Sequence, residues 1–258
     1  MKQALEMKYL IVANGDFLPK EVILEIAANS IIVALDGAAE RLLERGIKPQ
    51  VILGDFDSLK DKHLLGVKEH IDDKESPYTG KHDITIVPRR KDQSRTDLQK
   101  AIHYVKQQGA TDIHIVCAFS ESRVDHAIFN MRLLRSEHDT KCAIRIHSLG
   151  QTLVFVKNGT LEMHGNKGDH CGIFAFPEAA FSSSGLVWNG KSLPDMTPLQ
   201  FGITESACNL MESTTASISI SDEALITLPP QFSQQRKLSK LPEKELLHLL
   251  YQEACNAI

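Results

Sequence analysis

The sequence predicts an α/β fold, in which an amino-terminal, mostly parallel sheet with flanking helices is followed by a carboxyl-terminal antiparallel β domain. Over residues 1–150, short apolar runs rich in β-branched residues alternate with longer segments of helical periodicity, which is typical of βαβ units. From about Gln151, strands of alternating polarity are separated by Gly, Pro, Ser and Asn turns. We therefore expect an α/β domain over residues 1–150 and a β domain over residues 151–258.

Short apolar runs supply the strands predicted for the first domain, because they are too short to form helices. They are Tyr9 to Ala13, Ile31 to Leu35, Val51 to Leu53, Ile84 to Val87, Ile113 to Cys117 and Ala143 to Ile146. The clearest helix runs from Thr96 to Gln107 and ends before Gly109. Its apolar residues at i, i+3, i+4 and i+7 form one stripe: Leu98, Ala101, Ile102 and Val105.

A second helix is predicted from about Ser122 to Arg135. Helical spacing assigns Val124, Ile128 and Met131 to its inner face and Arg123, His126 and Asn130 to a neighbouring polar face. In the second domain, Ser217 to Ser221 alternates Ser with Ile, as a half-buried strand does. A terminal helix is expected over Pro242 to Ile258, packed on the body or on a second subunit.

The composition is that of a globular chain that needs no disulfide or metal to fold. Of its 258 residues, 42% are hydrophobic and 24% are charged, which excludes disordered, collagen-like and coiled-coil classes. The net charge of -4 provides no field that would attract nucleic acid or an anionic membrane. The five cysteines are widely spaced without a Cys-x-x-Cys pair, and no apolar stretch is long enough to span a bilayer. We expect a cytoplasmic protein.

Acidic residues follow several of the predicted strands. They are Asp16 after the first strand, Asp36 after the second, Asp55 and Asp57 after the third, Asp92 and Asp97 after the fourth, and Asp125 after the fifth. The carboxyl ends of parallel strands share one edge of a sheet, and ligands bind at that edge. The aspartates are therefore expected to converge there.

Converging carboxylates repel one another unless a cation neutralises them, and Mg²⁺ takes oxygen ligands in the company of substrate phosphates. Asp55 and Asp57 could both reach such an ion if their loop curls. Two alternatives remain open at this point: Asp55 could belong to a turn, and Asp57 and Asp97 could cap the helices that follow them.

Basic residues near the same edge are candidates for phosphate contact. Arg123 and His126 are expected near the amino end of a helix, which favours anions. Arg95 and Lys100 are further candidates, although such bases are often only solvated. The sequence contains no Walker loop, Gly-x-Gly-x-x-Gly, Gly-x-Ser-x-Gly or His-Glu-x-x-His motif, which argues against ATPases of the Walker type and nicotinamide dehydrogenases.

Several short strings occur in a characteristic order along the chain. In the first domain they are Asp36-Gly37-Ala38-Ala39, Gly46 with Pro49, Gly54-Asp55-Phe56-Asp57-Ser58, Ser94-Arg95-Thr96-Asp97-Leu98 with Lys100-Ala101, and Arg123-x-Asp125-His126 with Asn130. In the second they are Gly185-Leu186-Val187-Trp188 and Gly202 through Asn209. Taken together and in this order, the strings resemble the thiamine pyrophosphokinase family, and the resemblance covers most of the chain.

The resemblance implies an amino-terminal α/β domain followed by a carboxyl-terminal antiparallel β-sandwich. It also implies a homodimer that transfers the terminal pyrophosphate of ATP to thiamine with Mg²⁺ and releases AMP. It assigns the metal and catalytic roles to Asp55, Asp57 and Asp97. It assigns nucleotide contacts to Asp36, Arg95, Lys100, Arg123, Asp125 and His126, and the thiamine pocket to Trp188, Ser206 and Asn209. No nucleic-acid or membrane partner is implied.

The chain departs from the family pattern at Glu121-Ser122, where a Gly-Gly pair is usual, and at Cys208, where a serine is usual. Two alternatives therefore stay open. One is a related pyrophosphokinase for another alcohol, such as a hydroxymethyl pterin. The other is a nucleotide-binding sensor on the same fold that has lost catalysis.

Overall fold

The computed structural model describes residues 6–68, 75–89, 94–192, 194–246 and 249. The chain divides into two compact units, of which the first comprises Met1–Leu133, Asp139–Ala143 and Leu241–Ile258 and the second comprises Leu134–His138 and Ile144–Lys240. A domain boundary near residue 150 stays a prediction. None of the helices in the described ranges combines the length and apolarity needed to cross a membrane.

The first unit is built on a largely parallel sheet. Its elements are β1 (Lys8–Val12), α1 (Lys20–Ile26), β2 (Ile31–Leu35), α2 (Ala38–Glu44), β3 (Val51–Gly54), α3 (Lys62–Leu65), β4 (Tyr78–Thr79), β5 (Thr85–Pro88), α4 (Asp97–Gln107) and β6 (Asp112–Val116), followed by α5 (Val124–Ser136). The strand order is β6-β1-β2-β3-β5-β4, and only β4 is antiparallel to its neighbour. The predicted strands of this sheet are confirmed to within one residue at each end.

The core of the first unit explains why these segments form strands and helices. The middle strands are buried on both faces, and Leu10, Ile11 and Ile52 are fully inaccessible to solvent. In α4, the predicted stripe of Leu98, Ala101, Ile102 and Val105 is buried, as expected for a helix that covers a sheet. Each large apolar side chain buried in this way contributes about 1.5–3 kcal/mol relative to exposure.

The orientation predicted for α5 is wrong. Val124 is 62% exposed and Ile128 49% exposed, whereas Asn130, assigned to the polar face, is 7% exposed. The face that turns inward is Asn130, Leu133 and Leu134, at i, i+3 and i+4. Asn130 tolerates burial because its Nδ2 donates to the Ala118 carbonyl oxygen at 2.7 Å.

The second unit is an antiparallel sheet of long strands. Its elements are β7 (Ala143–His147), β8 (Thr152–His164), β9 (His170–Ser184), β10 (Thr197–Gln200), β11 (Ser206–Leu210), β12 (Thr215–Leu228) and the helix α6 (Ser233–Leu238). The order is β7-β8-β12-β9-β10, with β11 also paired to β9. Register shifts interrupt β12 near Ile220 and Asp222, where bulges bend a strand.

A separate apolar core holds the second unit together. Met163, Ile173, Ile218 and Ile226 are fully buried in it.

The predicted fold class is confirmed, with a parallel amino-terminal sheet followed by an antiparallel one. The predicted terminal helix falls mostly on residues beyond the described ranges, as does Asp92.

Candidate active site

The candidate site begins at the turn between β2 and α2. Asp36 is 6% exposed and has a left-handed backbone, with φ of 48°, which is uncommon for a residue other than glycine. Its Oδ1 accepts a hydrogen bond from the Phe56 backbone N–H at 2.8 Å. A Cβ atom on Gly54, where φ is +156°, would lie 2.7 Å from that same oxygen. Gly54 therefore allows the end of β3 to lie against the Asp36 carboxylate.

The loop after β3 curls around one buried aromatic side chain. Phe56 is fully buried and has φ of 65°, while Asp55 is partly buried and Asp57 exposed. The Asp57 N–H donates to Asp55 Oδ1 at 3.2 Å, and Ser58 Oγ donates to Asp57 Oδ1 at 3.0 Å. Because Phe56 turns inward between them, both aspartates point away from the core.

The curled loop brings Asp55 and Asp57 together with Asp36. One carboxylate oxygen from each of the three residues lies within 4.8 Å of the others. Burial, followed by the charges of Asp97 and Asp55, raises the pKa of Asp36 to about 7. Three hard oxygen donors that repel one another at this distance are a donor set suited to Mg²⁺.

Asp97, the third aspartate predicted to bind metal, does not belong to this group of three. Thr96 is the N-cap of α4, since its Oγ1 accepts from the Gln99 N–H at 3.3 Å, so Asp97 occupies the first helical position instead of the cap. Burial raises the pKa of Asp97, and the hydrogen bond from Lys100 opposes that shift. Asp97 and Asp36 line the same cavity.

Lys100 is buried at 6% exposure, in contrast to the solvated base that the sequence suggested as an alternative. Its Nζ donates to Asp97 Oδ1 at 2.9 Å and to the Arg89 carbonyl oxygen at 3.1 Å. In this structure Lys100 therefore supports Asp97, and a contact of Lys100 with nucleotide stays a prediction.

The loop after β6 lies against the loop after β1. The Gly15 N–H donates to the Cys117 carbonyl oxygen at 2.8 Å, and a Cβ on Gly15 would collide with the Phe119 carbonyl. Asp16 accepts from Ser120 Oγ at 3.2 Å and from the Glu121 N–H at 3.0 Å. Asp16 thus holds the segment that leads into α5.

Arg123, Asp125 and His126 lie together at the start of α5, as predicted. Arg123 donates through Nε and Nη2 to the two oxygens of Asp125, at 3.0 and 2.8 Å. The hydrogen bond from Arg123 lowers the pKa of Asp125 to about 2. All three side chains are largely exposed, so this ion pair orients the guanidinium and contributes little to stability.

The loops of the first unit enclose a cavity of about 300 Å³. Its walls include the predicted residues Asp36, Asp97, Arg123 and His126, and also Ser120 and Ser122, which sequence reasoning had not singled out as ligands. The volume is at the lower end of the roughly 300–1,000 Å³ typical of small-molecule sites. The cavity is thus lined by carboxylates together with an arginine and a histidine. Arg95 is exposed near the start of α4.

The second unit brings together the other three predicted residues. Asn209 is 1% exposed, and its Oδ1 accepts from the backbone N–H groups of Trp188 and Leu210 at 3.1 and 2.9 Å. Its Nδ2 donates to the Trp188 carbonyl at 2.7 Å and to Ser206 Oγ at 2.9 Å. These bonds use the whole capacity of the amide, so Asn209 fixes the Trp188 backbone. The Trp188 residue itself is 59% exposed.

Sequence reasoning missed one residue that shapes the site, Glu40. This residue is 9% exposed, and its two carboxylate oxygens accept from the backbone N–H groups of Lys60 and Asp61. A signal was present, because Glu40 is an acidic residue in the first turn of the helix that begins directly after Asp36-Gly37. Asp36 itself was predicted at the nucleotide and lies in the carboxylate group.

Residues 24–146 match the family model described as thiamin pyrophosphokinase, catalytic domain. No curated protein matches the chain. The fold resembles the crystal structure of thiamine pyrophosphokinase from Bacillus subtilis, with TM-score 0.69, 20% identity, and coverage of 86% of this chain and 98% of that one. The corresponding structure from Geobacillus thermodenitrificans gives TM-score 0.69, 22% identity, and coverage of 88% and 99%. Yeast thiamin pyrophosphokinase gives TM-score 0.68, 16% identity, and coverage of 88% and 87%.

Proposed function

We propose that this chain, whose residues 24–146 match the catalytic-domain model of the thiamin pyrophosphokinase family, transfers pyrophosphate from ATP to thiamine, giving thiamine diphosphate and AMP. The observation that carries the proposal is the group of Asp36, Asp55 and Asp57, whose carboxylate oxygens lie within 4.8 Å of one another in the segment that matches the family. The cavity at Asp36 supports a phosphate-bearing substrate beside this group.

The three carboxylates would hold Mg²⁺, and Asp97 would act beside them. When bound, the ion supplies neutralisation of the negative charge on the polyphosphate. Among the residues of the chain, Arg123 offers the cavity a guanidinium that Asp125 already orients. Ser122 adds a hydroxyl group for a phosphate oxygen, whereas the Ser120 hydroxyl donates to Asp16, and His126 lines the same cavity.

The transfer requires that the thiamine hydroxyl oxygen bond to the β-phosphorus while the bond from that phosphorus to the oxygen bridging to the α-phosphate breaks. AMP leaves with the bridging oxygen, and the hydroxyl proton passes to solvent or to a carboxylate. Such a reaction depends on in-line positioning and on neutralised charge more than on a strong base. The left-handed turns at Asp36 and Phe56 support rigid positioning of the aspartates.

For thiamine itself we propose the surface at Trp188, with Ser206 beside it. The exposed indole suits the permanent positive charge of the thiazolium ring, an interaction worth about 0.5–2 kcal/mol. Asn209 keeps the Trp188 backbone in place through the bonds described above.

We also propose a homodimer in the cytoplasm. The exposed apolar side chains Val124, Ile128 and Phe129 on α5 support a second copy of the chain as a partner. The free thiols of Cys117 and Cys208 support a reducing compartment. Sedimentation equilibrium tests the dimer, and a single species with the mass of one chain at micromolar concentration would contradict it.

The test of the activity is a direct assay of AMP and thiamine diphosphate formed from ATP, Mg²⁺ and thiamine, with a hydroxymethyl pterin as a competing alcohol. We expect thiamine-dependent AMP release. Preferential use of the pterin would favour the related pyrophosphokinase, and tight ATP binding without turnover of any alcohol would favour the sensor. Glu121-Ser122 and Cys208 prompted these alternatives. In the structure the Glu121 side chain is exposed, and its backbone N–H donates to Asp16.

Asp55→Asn and Asp57→Asn should each reduce turnover by at least about a hundredfold, because each removes a charged metal ligand. The melting temperature should change little, since neither side chain belongs to the core. The matched control is Asp83→Asn, which changes an exposed aspartate in the same unit. Near-normal turnover in both variants would remove these residues from the metal role.

A further inference from the structure

The carboxylates of Asp36 and Glu40 hold the two ends of the loop that carries Asp55 and Asp57. At the first end, Asp36 accepts from the Phe56 N–H. At the second end, Glu40 accepts from the Lys60 N–H through Oε2 at 3.1 Å and from the Asp61 N–H through Oε1 at 2.6 Å. Asp36 belongs to the carboxylate group, whereas Glu40 does not.

The Glu40 bonds are of the kind that fixes a backbone strongly. An ionised carboxylate that accepts from an N–H forms a shorter bond, roughly twice as strong as a neutral one. Glu40 lies within α2 and is 9% exposed, so its own position is set by the helix and by packing. Phe56, at the first anchored end, and Leu59, between the two ends, are both buried, which leaves the loop few alternative paths.

We propose that Glu40 is a positioning residue for divalent metal, which holds the loop of residues 55–61 so that Asp55 and Asp57 stay beside Asp36. The inference rests on the metal site of the proposed function and adds the residue that preorganises it. Loss of an outer partner of this kind typically weakens metal binding by about 10- to 100-fold.

Three variants on the same helix separate positioning from charge. Glu40→Gln keeps the shape, but its amide group turns a donor toward one of the two N–H groups. Glu40→Asp keeps the charge but is one methylene shorter, so it cannot reach both N–H groups. Glu44→Gln removes an exposed charge one turn further along α2 and is the matched control.

The measurement is calorimetric titration of each protein with Mn²⁺ alone, together with hydrogen exchange of the Lys60 and Asp61 amides. We expect Mn²⁺ to bind Glu40→Gln and Glu40→Asp about tenfold more weakly than wild type, with faster exchange at both amides. Glu44→Gln should match wild type. With nucleotide and thiamine present, the Mg²⁺ concentration for half-maximal rate should rise more than the rate at saturating Mg²⁺ falls.

Wild-type affinity for Mn²⁺ in Glu40→Asp would show that Glu40 acts only through its charge and would overturn the inference. Unprotected Lys60 and Asp61 amides in the wild-type protein would overturn it too, even if a variant failed to fold. A wild-type protein that binds no Mn²⁺ would instead contradict the metal site itself. The two failures are therefore distinguishable.

Discussion

At Asp36, burial in the fold opposes ionisation of the carboxylate. It is buried beside the charges of Asp55 and Asp97, and its pKa of about 7 means that ionising it costs the folded protein free energy. Its Oδ1 nevertheless organises the loop by accepting from Phe56. A residue kept at such a cost is typical of a functional site, where stability and activity compete.

Asp36→Asn should therefore stabilise the metal-free protein in a pH-dependent way. The folded pKa lies above the unfolded value of 3.8, so the folded state binds the extra proton and loses stability as pH rises from about 4 to about 7. The asparagine avoids this loss and keeps an oxygen for the Phe56 N–H. Above pH 7 the gain should be on the order of a few kcal/mol.

Melting of both proteins in EDTA at pH 4 and pH 8 measures this effect. The difference between Asp36→Asn and wild type should be small at pH 4 and clearly positive at pH 8. An equal difference at the two pH values would show that Asp36 is not the group responsible. The same variant should bind Mn²⁺ more weakly, because it lacks one charged ligand.

The helix α4 contributes residues both to the apolar core of the first unit and to the candidate active site. Thr96 caps its first turn and lines the cavity, and the next residue is Asp97. Thr96→Ala should lower the free energy of unfolding by about 1 kcal/mol, because a capped N–H loses its partner. Thr96→Ser keeps the hydroxyl and should retain most of that stability. Urea denaturation checks both, and equal losses would show that the cap contributes nothing.

The helix α5 offers a test of its corrected orientation. Ile128→Gln should change the stability of the monomer by less than about 0.5 kcal/mol, because the side chain is half exposed. Leu133→Ala should cost about 2–5 kcal/mol, because Leu133 is 3% exposed. Denaturation at low protein concentration distinguishes the two, and a large loss in Ile128→Gln alone would restore the orientation predicted from the sequence.

At the scale of the whole molecule, the carboxylate group and the cavity walls belong entirely to the first unit. Mg²⁺ with a non-hydrolysable ATP analogue should therefore stabilise that unit by linkage, by about 2.7 kcal/mol when the free ligand is a hundredfold above its Kd. Thermal unfolding monitored by hydrogen exchange checks this prediction. We expect the bound nucleotide to protect the backbone amides of residues 54–58 and 118–123. Asp57→Asn should show much less stabilisation, and equal stabilisation would contradict the assigned site.

The hydrophobic periodicity of a segment and the residue types at the ends of its strands are local properties of the sequence, and they predict most of the fold. The runs at Tyr9 and Ile31 are strands because β-branched and apolar side chains are buried on both faces of a parallel sheet. The orientation of α5 could not be predicted in this way, because both candidate faces carry apolar residues. The contact of Asn130 with Ala118 and the burial of Leu133 select the inner face, and both are tertiary.

That aspartates follow the parallel strands and should converge at one sheet edge could be predicted from the sequence, since strand direction fixes where those residues emerge. The folded chain was needed to show that Asp36 lies beside Asp55 and Asp57, that Lys100 is buried against Asp97, and that Glu40 holds the loop. These pairings depend on distances across different loops, and spacing along a single chain carries no information about such distances until the sheet has assembled.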